Sequence, residues 1–137
     1  MAYWLVKSEP SVWSWDHQVA KGAKGEAWTG VRNHTAKQYM MKMKKGDRAF
    51  FYHSNEGKEI VGIAEIIKEH YPDPTDESAK FVCVDIKADK PLKKFVTLAA
   101  VKAEPALAEM ALLKYSRLSV QPVTDAEWKI VMKMAGM

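Results

Sequence analysis

Five tryptophans in 137 residues is a rich supply, and four of them fall before residue 30: Trp4, Trp13, Trp15 and Trp28. Tryptophan offers a flat face for stacking and an indole N–H that needs a partner. Trp28 is the one set among polar and glycine residues, followed by Thr29, Gly30, Arg32 and Asn33. That run supplies a stacking face, a glycine that lets backbone approach a ligand, a guanidinium suited to phosphate, and an amide that can bond a base edge. Aromatic residues interleaved with basic ones are what a single-stranded nucleic acid or an extruded base requires. Trp4, Trp13 and Trp128 each lie in an apolar periodic run and are expected in the core. Trp15 fits either role.

Two other clusters carry usable groups. Phe51-Tyr52-His53-Ser54-Asn55 lies where a strand gives way to a loop, so His53 and Ser54 offer donors and acceptors at a sheet end. Lys7-Ser8-Glu9-Pro10 joins a cation, a hydroxyl and a carboxylate at the end of the first strand. Glu9 can accept from an amino group on a base, or pair with Lys7 or Arg32. The candidate base or ligand contacts are therefore Lys7, Ser8, Glu9, Trp28, Thr29, Gly30, Asn33, His53 and Ser54. Arg32, Arg117 and Lys37 are the candidate phosphate contacts.

Signatures of catalysis are missing. There is no Gly-rich phosphate loop and no Gly-x-Ser-x-Gly elbow. His17, His34, His53 and His70 form no His-x-x-x-His pair, so a metal site has no sequence support, and no cofactor is expected. Cys83, the single cysteine, sits among apolar residues and reads as an inert core thiol. Two rival readings remain: an enzyme acting on a nucleotide or nucleic acid, with His53 as acid/base and Glu9 as its partner, and a binder of a free nucleoside or small metabolite.

Charge leans the same way as the aromatics. Residues 1–50 hold nine Lys/Arg against four Asp/Glu, and residues 51–137 hold twelve against thirteen, so the whole excess of +4 comes from the first part of the chain. A basic region favours anionic partners, although a solvated lysine face gives the same count. The length fits one domain spanning residues 1–137, and 47% hydrophobic residues exclude intrinsic disorder. No apolar run is long enough to span a bilayer, so no membrane association is expected. The N-terminus lacks a secretory layout, and one cysteine allows no internal disulfide. The expectation is a soluble, cytoplasmic, monomeric domain.

The elements that must position these residues can be read in outline. Tyr3–Lys7 is a strand ended by Pro10. Ser11 or Ser14 caps a short helix through Trp15 and Val19, and residues 22–26 form a loop. Asn33 or Thr35 caps a helix with Ala36, Met40 and Met43 on one face, and Gly46 is expected just past its end. Arg48–His53 and Glu59–Ile67 are strands joined by the turn at residues 55–58. A polar loop covers 71–76, and a further strand runs from Phe81 to Lys87 with Pro91 closing it. Thr97 caps a helix to Lys102, and Ala106–Leu113 holds another turn of helix. Residues 117–123 alternate as a half-buried strand with Ser119 and Gln121 outward. Thr124 and Glu127 form a capping box for a last helix carrying Trp128, Val131 and Met132, ended by Gly136. Strands in the middle with helices at intervals predict an α+β fold, a curled, mostly antiparallel sheet or small barrel with peripheral helices.

Several stretches, in order, resemble the EVE domain in its bacterial single-domain form: Trp4-Leu5-Val6-Lys7-Ser8-Glu9-Pro10, Trp28-Thr29-Gly30-Val31-Arg32-Asn33, Phe51-Tyr52-His53-Ser54, Val61-Gly62-Ile63-Ala64 and Ser116-Arg117-Leu118-Ser119-Val120. The resemblance covers essentially the whole chain. It implies a PUA-like fold, a small open β-barrel with helices around it, and kinship with YTH domains, which hold a methylated adenine in an aromatic cage. By that likeness Trp28 forms one cage wall, and Lys7, Ser8 and Glu9 line the pocket. The resemblance thus implies a non-enzymatic module that recognises a modified base, methylated or hydroxymethylated, in DNA or RNA.

Overall fold

The computed structural model describes residues 1–137. Six strands form one mixed, open sheet: β1 (Tyr3–Ser8), β2 (Glu26–Ala27), β3 (Arg48–His53), β4 (Glu59–Pro72), β5 (Val82–Thr97) and β6 (Val120–Val123), in the order β2-β5-β4-β3-β1-β6. All neighbours are antiparallel except β1 and β3, which run parallel from Tyr3 opposite Arg48 to Ser8 opposite His53. Five helices accompany the sheet: α1 (Trp15–Ala20), α2 (His34–Lys42), α3 (Leu98–Ala103), α4 (Ala111–Lys114) and α5 (Asp125–Met134). The α+β class is as the sequence predicts.

The central strands are buried on both faces, and alternation along them sorts their side chains into two clusters. Trp4, Val6 and Phe51 point to one face, where they meet Trp15, Trp28, Ala36 and Met40 from α1, α2 and the segment between them. Leu5, Phe50 and Tyr52 point to the other, where Val101, Leu107, Leu112, Trp128 and Val131 of the C-terminal third cover them.

Local chemistry accounts for the helix starts. Ser14 caps α1 by accepting from the His17 N–H, while the His17 imidazole accepts from the Ser14 N–H. Asn33 caps α2, Thr97 caps α3, and Thr124 with Glu127 forms the capping box of α5.

Several expected boundaries move. Residues 22–24 form a 3₁₀ turn rather than an open loop. Helix α2 stops at Lys42, so Gly46 is not its C-terminal glycine; at φ +96° it turns the chain towards β3, and its N–H donates to the Ile66 carbonyl. Strand β4 continues to Pro72, so the polar loop begins only at Asp73. Pro91 does not end β5. It lies opposite Gly62 at a register irregularity, on a stretch whose other edge is past the last β2 pairing at Ile86, where a missing N–H costs no ladder bond. Residues 105–107 are a 3₁₀ turn that Pro105 begins, and the helical turn after it is α4. Gln121, expected to face outward, is fully buried, with its amide donating to the Tyr115 and Leu118 carbonyls.

Gly62 holds the site side of the sheet together. A Cβ there would lie 2.5 Å from the Trp15 indole, so only glycine lets that ring lie flat against β4. No helix is long and apolar enough to cross a membrane.

Candidate functional site

An open cavity of about 460 Å³ lies at the C-terminal end of β1. That size falls within the range of small-ligand pockets. Its walls come from three places: Lys7, Ser8 and Glu9 at the end of β1, Val12 and Trp13 before α1, and residues 26–32 on either side of Trp28. Ser119, preceding β6, completes the rim.

Two tryptophans flank it. Trp28 is 8% exposed and meets Phe51 edge-on, with ring centroids 5.5 Å apart at 81°. Its backbone N–H donates to the Val84 carbonyl at 2.7 Å, tying the segment to β5. Trp13, expected in the core, is instead only partly buried and lines the cavity. Its indole N–H donates to Gln18 Oε1 at 3.0 Å, and its ring lies 5.3 Å from that of His17. The apolar spacing that placed Trp13 in the core belongs to a tight turn, in which the Val12 and Trp13 N–H groups both donate to the Glu9 carbonyl.

The polar groups differ in how far they are already engaged. Lys7 is half-buried, its ammonium donating to the Ser116 carbonyl at 2.8 Å, and burial pushes its pKa down. Two ammonium protons remain for a ligand. The Ser8 hydroxyl donates to the Trp13 carbonyl at 2.6 Å, which leaves its lone pairs as acceptors. The side chains of Glu9 and Thr29 are exposed and carry no internal hydrogen bond or ion pair. The cavity thus offers a cation, a free carboxylate and a free hydroxyl between aromatic walls.

The Trp28 segment is clamped from outside by Asp73, whose side chain is fully buried. Its Oδ2 accepts from the Gly30 N–H at 2.9 Å and from Arg32 Nη1 at 3.1 Å; its Oδ1 accepts from the Thr75 N–H and hydroxyl. Burial would raise this carboxyl, but the bonds from Thr75, Gly30 and Arg32 outweigh it and hold it below the usual carboxylate range. Arg32 also donates to Thr75 Oγ1 and lies over the Phe81 ring. Nothing local in the sequence links residues 30 and 73; only the length of the β4–β5 connection brings them together.

The cavity therefore gathers Lys7, Ser8, Glu9, Trp28, Thr29, Gly30 and Arg32 from the predicted set and leaves others out. Asn33 does not reach it: its side-chain oxygen caps α2 by accepting from the Ala36 N–H at 2.9 Å. His53 lies outside as well, its Nε2 accepting from the Trp15 backbone N–H at 3.0 Å. That bond requires an unprotonated Nε2. Burial lowers the His53 pKa, with Glu59 and Asp16 opposing. A histidine engaged in this way gives no geometric support to acid/base work with Glu9. Ser54 is also off the cavity wall, and its N–H donates to the Ser8 carbonyl, bracing β1. Arg117 and Lys37 do not line the cavity either.

Comparison with known proteins follows the same outline. A model of the EVE domain matches residues 2–134. Human thymocyte nuclear protein 1 is 33% identical, the match covering 97% of this chain and 73% of that protein. The solved structure of Rpa0253 from Rhodopseudomonas palustris is 82% identical and superposes with a TM-score of 0.95, covering 99% of this chain and 94% of the other. Human THYN1, solved in complex with 5-methylcytosine-containing DNA, is 31% identical with a TM-score of 0.91, covering 100% and 99%. A YTH domain of Zygosaccharomyces rouxii shares the fold, at 17% identity and a TM-score of 0.59 over 98% of this chain and 86% of that one.

Proposed function

This chain belongs to the EVE-domain family, and from that premise we propose that it is a non-enzymatic reader of a methylated base in nucleic acid, taking the base into the cavity between Trp13 and Trp28. The observation that carries the reading is the cavity itself: two indoles flank a space that holds the Lys7 ammonium, with two protons left to donate, and the unengaged side chains of Glu9 and Thr29. Aromatic walls suit any base, while the polar edge selects among them. A carboxylate such as Glu9 accepts from the exocyclic amino group of cytosine, and an ammonium such as Lys7 donates to a ring carbonyl. Human THYN1, similar over the full chain, was solved with 5-methylcytosine DNA, which supports a methylated cytosine in DNA as the first ligand to try.

Extruding a base from a duplex costs a few kcal/mol. Stacking returns about 1–3 kcal/mol per base. The polar edge and the phosphate contacts must supply the remainder, and Arg32 is the phosphate candidate nearest the cavity. Its guanidinium is partly exposed and already held by Asp73, so it presents its outer face in a fixed orientation.

The test is a titration with nucleosides and short oligonucleotides, modified and plain, followed by intrinsic fluorescence at two salt concentrations. The reading expects tighter binding of a methylated base, with Trp13→Ala and Glu9→Gln each weakening binding of that base. Equal binding of methylated and plain bases by the unsubstituted protein would contradict it.

A further inference from the structure

A second hollow, of about 400 Å³, lies at the opposite end of β1 from the cavity, lined by Met1, Ala2, Lys42, Lys44, Lys45 and Asp47. Helix α2 joins the two places. It begins at His34, two residues past Arg32, which lines the cavity, and it ends at Lys42, which lines the hollow. From Thr29 to Gly46 the chain carries five basic residues, Arg32, Lys37, Lys42, Lys44 and Lys45, and no acidic one.

None of Lys37, Lys42, Lys44 and Lys45 takes part in an ion pair. Lys42 lies 5.8 Å from the Tyr39 ring centroid, which holds its ammonium at the helix end. The one acid within the hollow, Asp47, is 4% exposed and spent inward: it accepts from the Trp4 indole N–H and from the Ala2 and Lys44 backbone N–H groups. Glu69 reaches the Lys45 backbone N–H, not an ammonium. So the hollow presents three ammonium groups without a bound counter-charge.

We propose that the nucleic acid whose base enters the cavity runs along α2 and sets its backbone phosphates in this lysine hollow. The proposal rests on the reader function above and adds the path of the strand. Nine helical residues at about 1.5 Å each, or six strand residues at about 3.3 Å, separate the two places by roughly 14–20 Å. At a duplex rise of about 3.4 Å per nucleotide, the hollow meets phosphates roughly four to six nucleotides from the recognised base. Because α2 leads from the cavity in one direction, contact on one flank is expected.

The experiment measures affinity for DNA bearing one 5-methylcytosine, single-stranded and annealed, with the flank on each side lengthened separately from one to ten nucleotides. The protein is compared with Lys42→Ser/Lys44→Ser/Lys45→Ser, three exposed side chains whose loss leaves the core intact. For the unsubstituted protein, affinity is expected to step up when one flank reaches about four to six nucleotides, and lengthening the other flank gives no such step. The triple variant is expected to bind the short strands as before, to lose the step roughly tenfold, and to lower the salt slope by about 2–3. A triple variant with the same step and the same salt slope would overturn the track, even with base preference intact. If methylated and plain DNA bind equally while the lysine-dependent step persists, the track stands and the reader function falls.

Discussion

Trp128 and Trp28 are buried to nearly the same degree, 6% and 8% exposed, but they sit on opposite faces of the sheet and are packed differently. Trp128 stacks against both Phe50, at 3.8 Å and 15°, and Tyr3, at 4.2 Å and 10°. Trp28 meets its aromatic neighbour Phe51 only edge-on, beside an open cavity. One face of the sheet is closed by helices whose side chains fill each other's contacts. The other spends similar apolar material on holding a wall in place and leaves room next to it. Burial alone does not separate a core tryptophan from a site tryptophan; what its ring is packed against does.

This contrast can be broken at its strongest point first. Trp128→Ala removes a ring stacked by two others and is expected to cost about 3–5 kcal/mol of stability, read by denaturant midpoint. Trp28→Phe, which keeps an aromatic against Phe51, should cost less than that and act mainly on base binding. If the two substitutions destabilised equally, the two faces would not differ as described.

Gly62→Ala comes next. The added methyl meets the Trp15 indole, and overpacking of this kind costs about 1–3 kcal/mol. Because Trp15 begins α1, thermal melting should fall and the environment of Trp13 should change with it. An unchanged melting temperature would mean that Trp15 can move away at no cost.

Asp73→Asn tests the clamp behind Trp28. The loss is expected at about 1–3 kcal/mol, since the carboxylate has four donors and Arg32 is partly exposed. The carboxyl is held below its ordinary value, so its contribution is present above about pH 4 and lost as pH falls below that. The variant should lack that acid-limb loss, and the difference between the two urea curves should close at low pH.

His53 gives the smallest effect. Its pKa is lowered in the folded state, so the unfolded chain takes up protons first as pH falls. Its contribution is complete above about pH 6.5 and declines below it. His53→Gln keeps an acceptor for the Trp15 N–H and should flatten stability between pH 7 and pH 5. A variant with the same slope there would assign the slope elsewhere.

The elements most legible in sequence were those fixed by adjacent residues. The α5 capping box and the strand Arg48–His53 depend on near neighbours and are found as predicted, and of the two serines offered as the α1 cap it is Ser14 that serves. Pro91 misled because its tolerance depends on an unpaired edge, a property of sheet order and not of the local run. Asn33 carried two readings, helix cap and base contact, and α2 uses it as the cap. Trp13 reached the cavity through a turn that its apolar neighbours concealed, and the part of Asp73 in the site was invisible because the two partners it clamps there, Gly30 and Arg32, lie more than forty residues away. The side chains of Lys7, Ser8, Glu9 and Trp28 were found by type and by family likeness, and the fold brings all four to one cavity.

The central proposal is that the cavity beside Trp28, and not the Trp128 face of the sheet, takes a methylated base. The most direct measurement is a fluorescence titration of the unsubstituted protein, Trp13→Ala and Glu9→Gln with one oligonucleotide carrying 5-methylcytosine and the same strand carrying cytosine. The account predicts a preference for the methylated strand in the unsubstituted protein and weaker binding of that strand by both variants, with folding retained by circular dichroism. Binding of the methylated strand that neither substitution weakens would place base recognition outside this cavity and contradict the account.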